Sequence, residues 1–107
     1  MARYMLMVWS NAEAGRDDEF NAWYDSVHLP EVCEVAGFRA AERFEVVAPE
    51  GHRYLATYEI EADSPEEAMA NLHASTPGMN MTDALDRAGV KLTMVRSIRE
   101  RHVGSAG

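Results

Sequence analysis

The sequence has little cysteine. Its 107 residues include one, Cys33, which cannot form an internal disulfide. Cys33 also lacks a second cysteine or a closely spaced histidine with which to hold zinc. Its neighbours Val32 and Val35 favour packing as its role, and a nucleophilic pair with His28, five residues away, is the alternative.

Long apolar runs and basic charge are also scarce. No stretch approaches the roughly 18 apolar residues that a membrane-spanning helix requires. Ten Lys and Arg stand against 18 Asp and Glu, a formal net charge of −8 that opposes phosphate binding. We therefore expect neither a membrane nor nucleic acid as a partner. Residues 1–9 are short for a secretory signal and lack a small-residue cleavage site, so we expect a cytoplasmic protein.

The motifs of common cofactor sites are missing. No glycine-rich loop joins a predicted strand to a predicted helix, which argues against flavin or nicotinamide. The four histidines show no metal-ligand spacing. We therefore expect no metal and no other cofactor.

The first third of the chain predicts one strand and one helix. Apolar residues on both faces of residues 3–9 predict a strand that is covered on both sides. In residues 17–29, apolar side chains recur at the spacing of a buried helix stripe, at Phe20, Trp23, Tyr24 and Val27. Pro30 steers the preceding residue away from helical angles, so we expect a break or kink near residues 28–29 and a fresh turn that ends at Gly37.

The rest of the chain predicts three strands and a second helix. Residues 38–47 and 53–60 predict a hairpin. The second helix begins with the capping signal of Ser64, Pro65 and Glu67 and extends to about residue 74. Two elements complete the chain, a short helix over residues 82–88 closed by Gly89 and a last strand over residues 91–101.

This order is βαββαβ, the split-βαβ arrangement of ferredoxin-like α+β proteins. We expect one domain over residues 1–103 and a flexible tail at residues 104–107. The four-stranded antiparallel sheet carries both helices on one face and leaves the other bare. That bare face holds either Met5, Met7 and Trp9 or Tyr4, Leu6 and Val8. Either set exposes a large apolar patch, which a face-to-face homodimer would bury.

The run EFNAWYDSVHLPEVCEVAGFRAAERF, residues 19–44, resembles the dimeric α+β barrel superfamily, in particular its EthD-like branch. The likeness lies in the aromatic-acid-His-Leu-Pro-Glu order and in the following GF and RF pairs. It implies a barrel built across a dimer and a pocket between the sheet and the first helix, with His28 and Tyr24 at its wall. The superfamily includes cofactor-free monooxygenases, polyketide cyclases, muconolactone isomerases, stress-responsive barrels and haem-binding members, so the resemblance does not fix a reaction.

The residues themselves also single out His28. Its ordinary pKa of about 6.5 lets it exchange protons at neutral pH. Tyr24 at i−4 and Asp25 at i−3 can neighbour it on the helix, where the carboxylate would orient the imidazole. The alternative is that His28 caps the helix C-terminus.

Four residues are candidates for substrate binding. Arg43 on the second strand suits a carboxylate or phenolate, and Tyr58 on the third strand suits the same cavity. Asp25 and Trp23 are the other two candidates. Packing and structural salt bridges are the competing explanation for all four.

Together these features predict a small-molecule enzyme without metal or organic cofactor. It would move a proton next to the carbonyl of an apolar or aromatic substrate, as an isomerase, a cyclase or a dehydratase (lyase) does. His28 would be the catalytic acid or base, and Tyr24, with Arg43 as a further candidate, would stabilise the oxyanion. The alternatives are a cofactor-free monooxygenase and a non-catalytic, stress-related barrel that binds haem or an apolar ligand.

Overall fold

The computed structural model describes residues 1–105, and its framework is a four-stranded antiparallel sheet with helices on one face. The spatial order β2-β3-β1-β4 is formed by β1 (Ala2–Ser10), β2 (Phe38–Glu45), β3 (Tyr54–Ala62) and β4 (Lys91–Arg96). The predicted βαββαβ order and the ferredoxin-like α+β class are confirmed. The last strand ends at Arg96 and not at residue 101, and residues 106 and 107 of the predicted tail lie outside the described residues.

The first helical segment is continuous. It consists of α1 (Asp17–Trp23), a π-helical turn (Tyr24–His28) and α2 (Leu29–Cys33). Of the break or kink predicted there, the break is wrong: Leu29 has helical angles, φ −56° and ψ −50°, and its N–H donates to the carbonyl of Tyr24, five residues back. The irregularity at this place is the π-helical turn itself. The wider π-helical turn makes room for the ring of Pro30, which would clash with the carbonyl four residues earlier in an α-helix.

The second helix, α3 (Pro65–Ser75), begins where the capping signal predicts. The hydroxyl of Ser64 accepts a hydrogen bond from the N–H of Glu67 at 3.1 Å. The carboxylate of Glu67 reaches the N–H of Asp63 at 3.3 Å, one residue earlier than in a standard capping box. A 3-10 turn (Thr76–Gly78) follows α3.

The helix predicted over residues 82–88 is wrong. Leu85 forms an isolated β-bridge with Ala12, and the N–H of Glu13 donates to the carbonyl of Ala84 at 2.7 Å. These long-range hydrogen bonds hold the segment against the residues that follow β1, and the helical turn that does form is a 3-10 turn at Arg87–Gly89. No helix of the described residues is long and apolar enough to cross a membrane.

The strand register determines which side chains lie on each face of the sheet. Tyr4 and Leu6 pair with Ile60 and Tyr58, and all four are buried under the helices. Met5, Met7 and Trp9 therefore occupy the bare face. Neighbouring strands add apolar side chains to that face, namely Leu55, Phe44 at 42% exposed and Val95 at 41% exposed.

Candidate functional site

A cavity of about 250 Å³ lies between the sheet, the first helical segment and α3. No Lys, Arg, Asp or Glu of the described residues lines it. Its polar lining comes from Ser10, Tyr24, His28, Tyr58 and Thr76. The rest of the wall is apolar and includes Leu6, Val8, Trp23, Val32, Leu72, Met79, Met81, Leu85, Val90 and Leu92. Such a lining suits a small, uncharged, mostly apolar molecule.

The π-helical turn positions His28 against two aromatic rings. The imidazole stacks on Trp23, with ring centroids 4.6 Å apart and an angle of 19°, and meets the edge of Tyr24 at 5.0 Å. Trp23 and His28 are five residues apart. In an α-helix of about 3.6 residues per turn such residues point in different directions, whereas the wider turn aligns them. The geometry of His28 thus depends on this turn.

Burial controls the protonation of His28. It lowers the pKa of the imidazole, and the nearby carboxylate of Glu31 opposes that effect in part. The neutral ring is therefore the form present at neutral pH. Its Nδ1 is buried and has no hydrogen-bond partner among the described residues. Buried polar atoms are normally bonded, so this nitrogen has capacity for a ligand or for a proton.

Two tyrosine hydroxyls form the other polar feature of the cavity. The hydroxyl of Tyr58 donates to that of Tyr24 at 3.3 Å. Burial raises the pKa of both phenols, so both remain protonated at neutral pH. Because Tyr58 uses its proton within the pair, the proton of Tyr24 is free to be donated to a ligand oxygen.

The structure places Asp25 and Arg43 outside the cavity lining. Arg43 donates to the carboxylate of Asp25 at 2.8 Å and to the side-chain carbonyl of Asn21 at 2.7 Å. The expectation that Asp25 orients His28 is therefore wrong, because Asp25 pairs with Arg43 and the carboxylate that acts on His28 belongs to Glu31. Of the four predicted substrate-binding residues, Trp23 and Tyr58 line the cavity.

One wall of the cavity went unrecognised in the sequence. The carboxylate of Glu31 accepts from the backbone N–H of Asn80 at 3.0 Å and from its side-chain amide at 2.9 Å. The indole of Trp23 donates to the carbonyl of Asn80 at 2.7 Å. These bonds hold Met79 and Met81 at the cavity. No periodic pattern marks this irregular segment, so the sequence carried no signal for it.

Neither a cysteine nucleophile nor a metal site emerges from the geometry. Burial raises the pKa of the Cys33 thiol, which disfavours the reactive thiolate. Among residues 1–105, no three His, Cys, Asp or Glu side chains cluster closely enough to hold a metal ion. The titratable side chains of the described residues that line the cavity are those of His28, Tyr24 and Tyr58.

Solved structures of other proteins share this fold. An EthD-family protein from Bacillus halodurans has 15% sequence identity and a TM-score of 0.61, over 92% of this chain and 100% of that chain. A candidate monooxygenase from Shewanella loihica has 10% identity and a TM-score of 0.64, over 92% and 97%. A variant of MhuD, crystallised with two manganese protoporphyrin IX molecules per active site, has 18% identity and a TM-score of 0.67, over 94% and 99%.

These likenesses establish the fold alone. The resemblance to EthD-like α+β barrel proteins is confirmed at that level. No family model and no curated protein sequence matches the chain. The reaction has to be argued from the site.

A porphyrin does not fit the site as it stands. Pockets for drug-sized ligands usually measure about 300–1,000 Å³, and this cavity of about 250 Å³ is smaller. The one histidine that lines it stacks on Trp23 at 4.6 Å, which leaves no space for a macrocycle between the two rings. The residues that line the cavity therefore do not fit haem.

Proposed function

We propose that this protein is a small-molecule enzyme that moves a proton next to a carbonyl, without metal or organic cofactor. The observation that carries the proposal is that His28, whose buried Nδ1 has no hydrogen-bond partner among the described residues, lines the same cavity as Tyr24, whose hydroxyl accepts from Tyr58 and keeps its own proton to donate. A base and a hydrogen-bond donor within one apolar cavity are the requirements of enolisation. The uncharged lining favours an apolar or aromatic ketone as substrate.

In the proposed reaction His28 first accepts a proton from the substrate and later returns it. Neutral His28 takes a proton from the carbon next to the carbonyl. The electron pair of that C–H bond forms a C=C bond to the carbonyl carbon, and the π pair of the C=O bond moves onto the oxygen. Tyr24 donates a hydrogen bond to the resulting enolate oxygen, with Tyr58 holding its hydroxyl in place. The imidazolium, disfavoured by burial, then returns its proton to another carbon or to a leaving hydroxyl. Return of the proton to another carbon is isomerisation, and return to a leaving hydroxyl is dehydration. Cyclisation follows when the enolate carbon first attacks a second carbonyl of the substrate and the imidazolium protonates the resulting alkoxide.

Exchange of ketone protons tests this proposal without knowledge of the natural substrate. We expect the protein to accelerate hydrogen–deuterium exchange at the carbon next to the carbonyl of 2-tetralone, followed by proton NMR in D₂O. His28→Gln should reduce the rate by about 100-fold or more, the usual contribution of a positioned base. His73→Gln, at an exposed position of α3, is the matched control and should retain the wild-type rate.

Two results would contradict the proposal. A loss of less than about tenfold in His28→Gln would show that His28 is not the base. Binding of 2-tetralone by the wild type without any exchange would favour the non-catalytic binding alternative instead.

A cofactor-free monooxygenase is the second candidate function, supported by the shared fold of the Shewanella loihica protein. Its reaction would also begin with deprotonation by His28, but of a phenol or enol that then reacts with O₂. Oxygen uptake that depends on such a substrate and disappears in His28→Gln would favour this candidate.

A homodimer and a cytoplasmic location complete the proposal. The dimer is supported by the apolar side chains on the bare face of the sheet. The location stays a prediction from the sequence.

A further inference from the structure

The guanidinium of Arg43 lies over one face of the ring of Tyr24. Its central carbon is 4.5 Å from the centroid of that ring. The guanidinium donates hydrogen bonds to Asp25 at 2.8 Å and to Asn21 at 2.7 Å, and both acceptors lie on the helical segment that carries Tyr24. Its Nε is buried and has no hydrogen-bond partner among the described residues. The cation is thus fixed relative to Tyr24 and is not saturated with acceptors.

The ion pair with Asp25 does not cancel the field of this cation. The side chain of Arg43 is 14% exposed, whereas that of Asp25 is 63% exposed. Water therefore screens the carboxylate more strongly than the guanidinium. A net positive field remains at the ring of Tyr24, and no charged side chain of the described residues lines the cavity to oppose it.

We propose that Arg43 is a positioning residue that acts through the ring of Tyr24. Its positive charge makes the hydroxyl pair of Tyr24 and Tyr58 the part of the cavity that stabilises a negatively charged ligand oxygen. A cation over an aromatic face favours anionic character on that ring and on groups bonded to its hydroxyl. The charge of Arg43 also lowers the pKa of both phenols, against the larger effect of burial.

This role of Arg43 narrows the class of ligand that the cavity binds. The statement about the ligand rests on the proposed function. The ligand is a neutral phenol or ketone that becomes an oxyanion inside the cavity. A preformed carboxylate is disfavoured, because no Lys or Arg of the described residues lines the cavity to replace its water.

Titration of Tyr24 tests the coupling without any substrate. The protein is labelled with 3-fluorotyrosine, whose phenol is more acidic than that of tyrosine, and the ¹⁹F resonance of position 24 is assigned with Tyr24→Phe. Arg43→Met should move the titration midpoint of position 24 to higher pH. Asp25→Asn, which removes the opposing carboxylate, should move it to lower pH.

The opposite signs separate electrostatics from packing. If both variants shift the midpoint in the same direction, or if neither shifts it, Arg43 is a structural residue and the inference is overturned. Should Arg43→Met fail to fold, Asp25→Asn decides the question together with Arg43→Lys, which keeps the charge and should stay close to the wild-type midpoint.

A second measurement distinguishes this inference from the proposed enzyme activity. In the 2-tetralone exchange assay, Arg43→Met should lower kcat by about tenfold with little change in KM, less than the 10²–10³ of a direct oxyanion donor. If the wild type does not accelerate proton exchange of 2-tetralone but the titration midpoints of position 24 move as expected in the variants, the proposed function is refuted and the electrostatic role of Arg43 is retained. Exchange that is unchanged in an active Arg43→Met overturns the catalytic part of the inference.

Discussion

His28 combines a catalytic side-chain type with an unusual degree of confinement. Trp23 covers one face of the imidazole, and the same indole bonds to Asn80 in the wall of the cavity. Glu31, which acts electrostatically on His28, bonds to Asn80 as well. The orientation and charge of the imidazole are therefore coupled to the segment that closes the cavity, so a change at Asn80 should affect His28 without direct contact.

The buried imidazole should make folding depend on pH. Its folded pKa is lowered by burial, whereas the unfolded pKa is about 6.5. Below that pH the unfolded chain binds more protons, so the stability that neutral His28 contributes is present above pH 6.5 and is lost as the pH falls through the folded pKa. Urea unfolding at about pH 8 and about pH 5 should show a larger loss for wild type than for His28→Gln. Equal losses would mean that His28 is solvated in the folded state.

The sequence predicted the site in part. His28, Tyr24, Trp23 and Tyr58 all line the cavity. Helix spacing had placed Trp23 and Tyr24 on the buried stripe, whereas His28 was singled out by its side-chain chemistry and by the family resemblance. The prediction that Asp25 orients His28 rested on helical spacing too, and it is wrong. The direction of the Asp25 side chain is set by Arg43, which lies 18 positions away on β2, and sequence spacing carries no information on such a partner.

Helix boundaries were predictable where local signals act alone. Ser64 and Pro65 fix the start of α3 through their own backbone geometry. Pro30 did not break the helix as predicted, because the π-helical turn removes the clash between the proline ring and the carbonyl four residues earlier, and Leu29 adopts helical angles despite the local preference before proline. Packing of Tyr24 against the core then keeps the segment continuous.

Gly37 provides a sharp test of how the first helical segment joins β2. It has φ +90°, and a Cβ there would lie 2.7 Å from the backbone carbonyl oxygen of Glu61. Gly37→Ala should therefore cost about 2 kcal/mol or more in unfolding free energy and lower Tm by roughly 10 °C in thermal denaturation. Gly78→Ala is the matched control, since no atom lies within 4 Å of its added Cβ. Comparable losses in the two variants would contradict this account.

For the whole molecule, strand register decides which apolar set is left uncovered. Periodicity alone left two choices for β1, because both of its parities are apolar. Pairing with β3 places Tyr4 and Leu6 beside Ile60 and Tyr58 under the helices, which leaves Met7 near the centre of the bare face. Thr57 and Thr93, its cross-strand partners, offer no charge to protect that surface.

Oligomeric state tests the function of this face. We expect a homodimer at micromolar concentration in sedimentation velocity. Met7→Glu should give a folded monomer, because a dimer would bury an unpaired carboxylate at a cost of several kcal/mol, whereas the charge is solvated in the monomer. Glu66→Gln, at an exposed position on α3, should leave the dimer intact. A monomeric wild type would refute the dimer, and a dimeric Met7→Glu would move the interface away from the bare face.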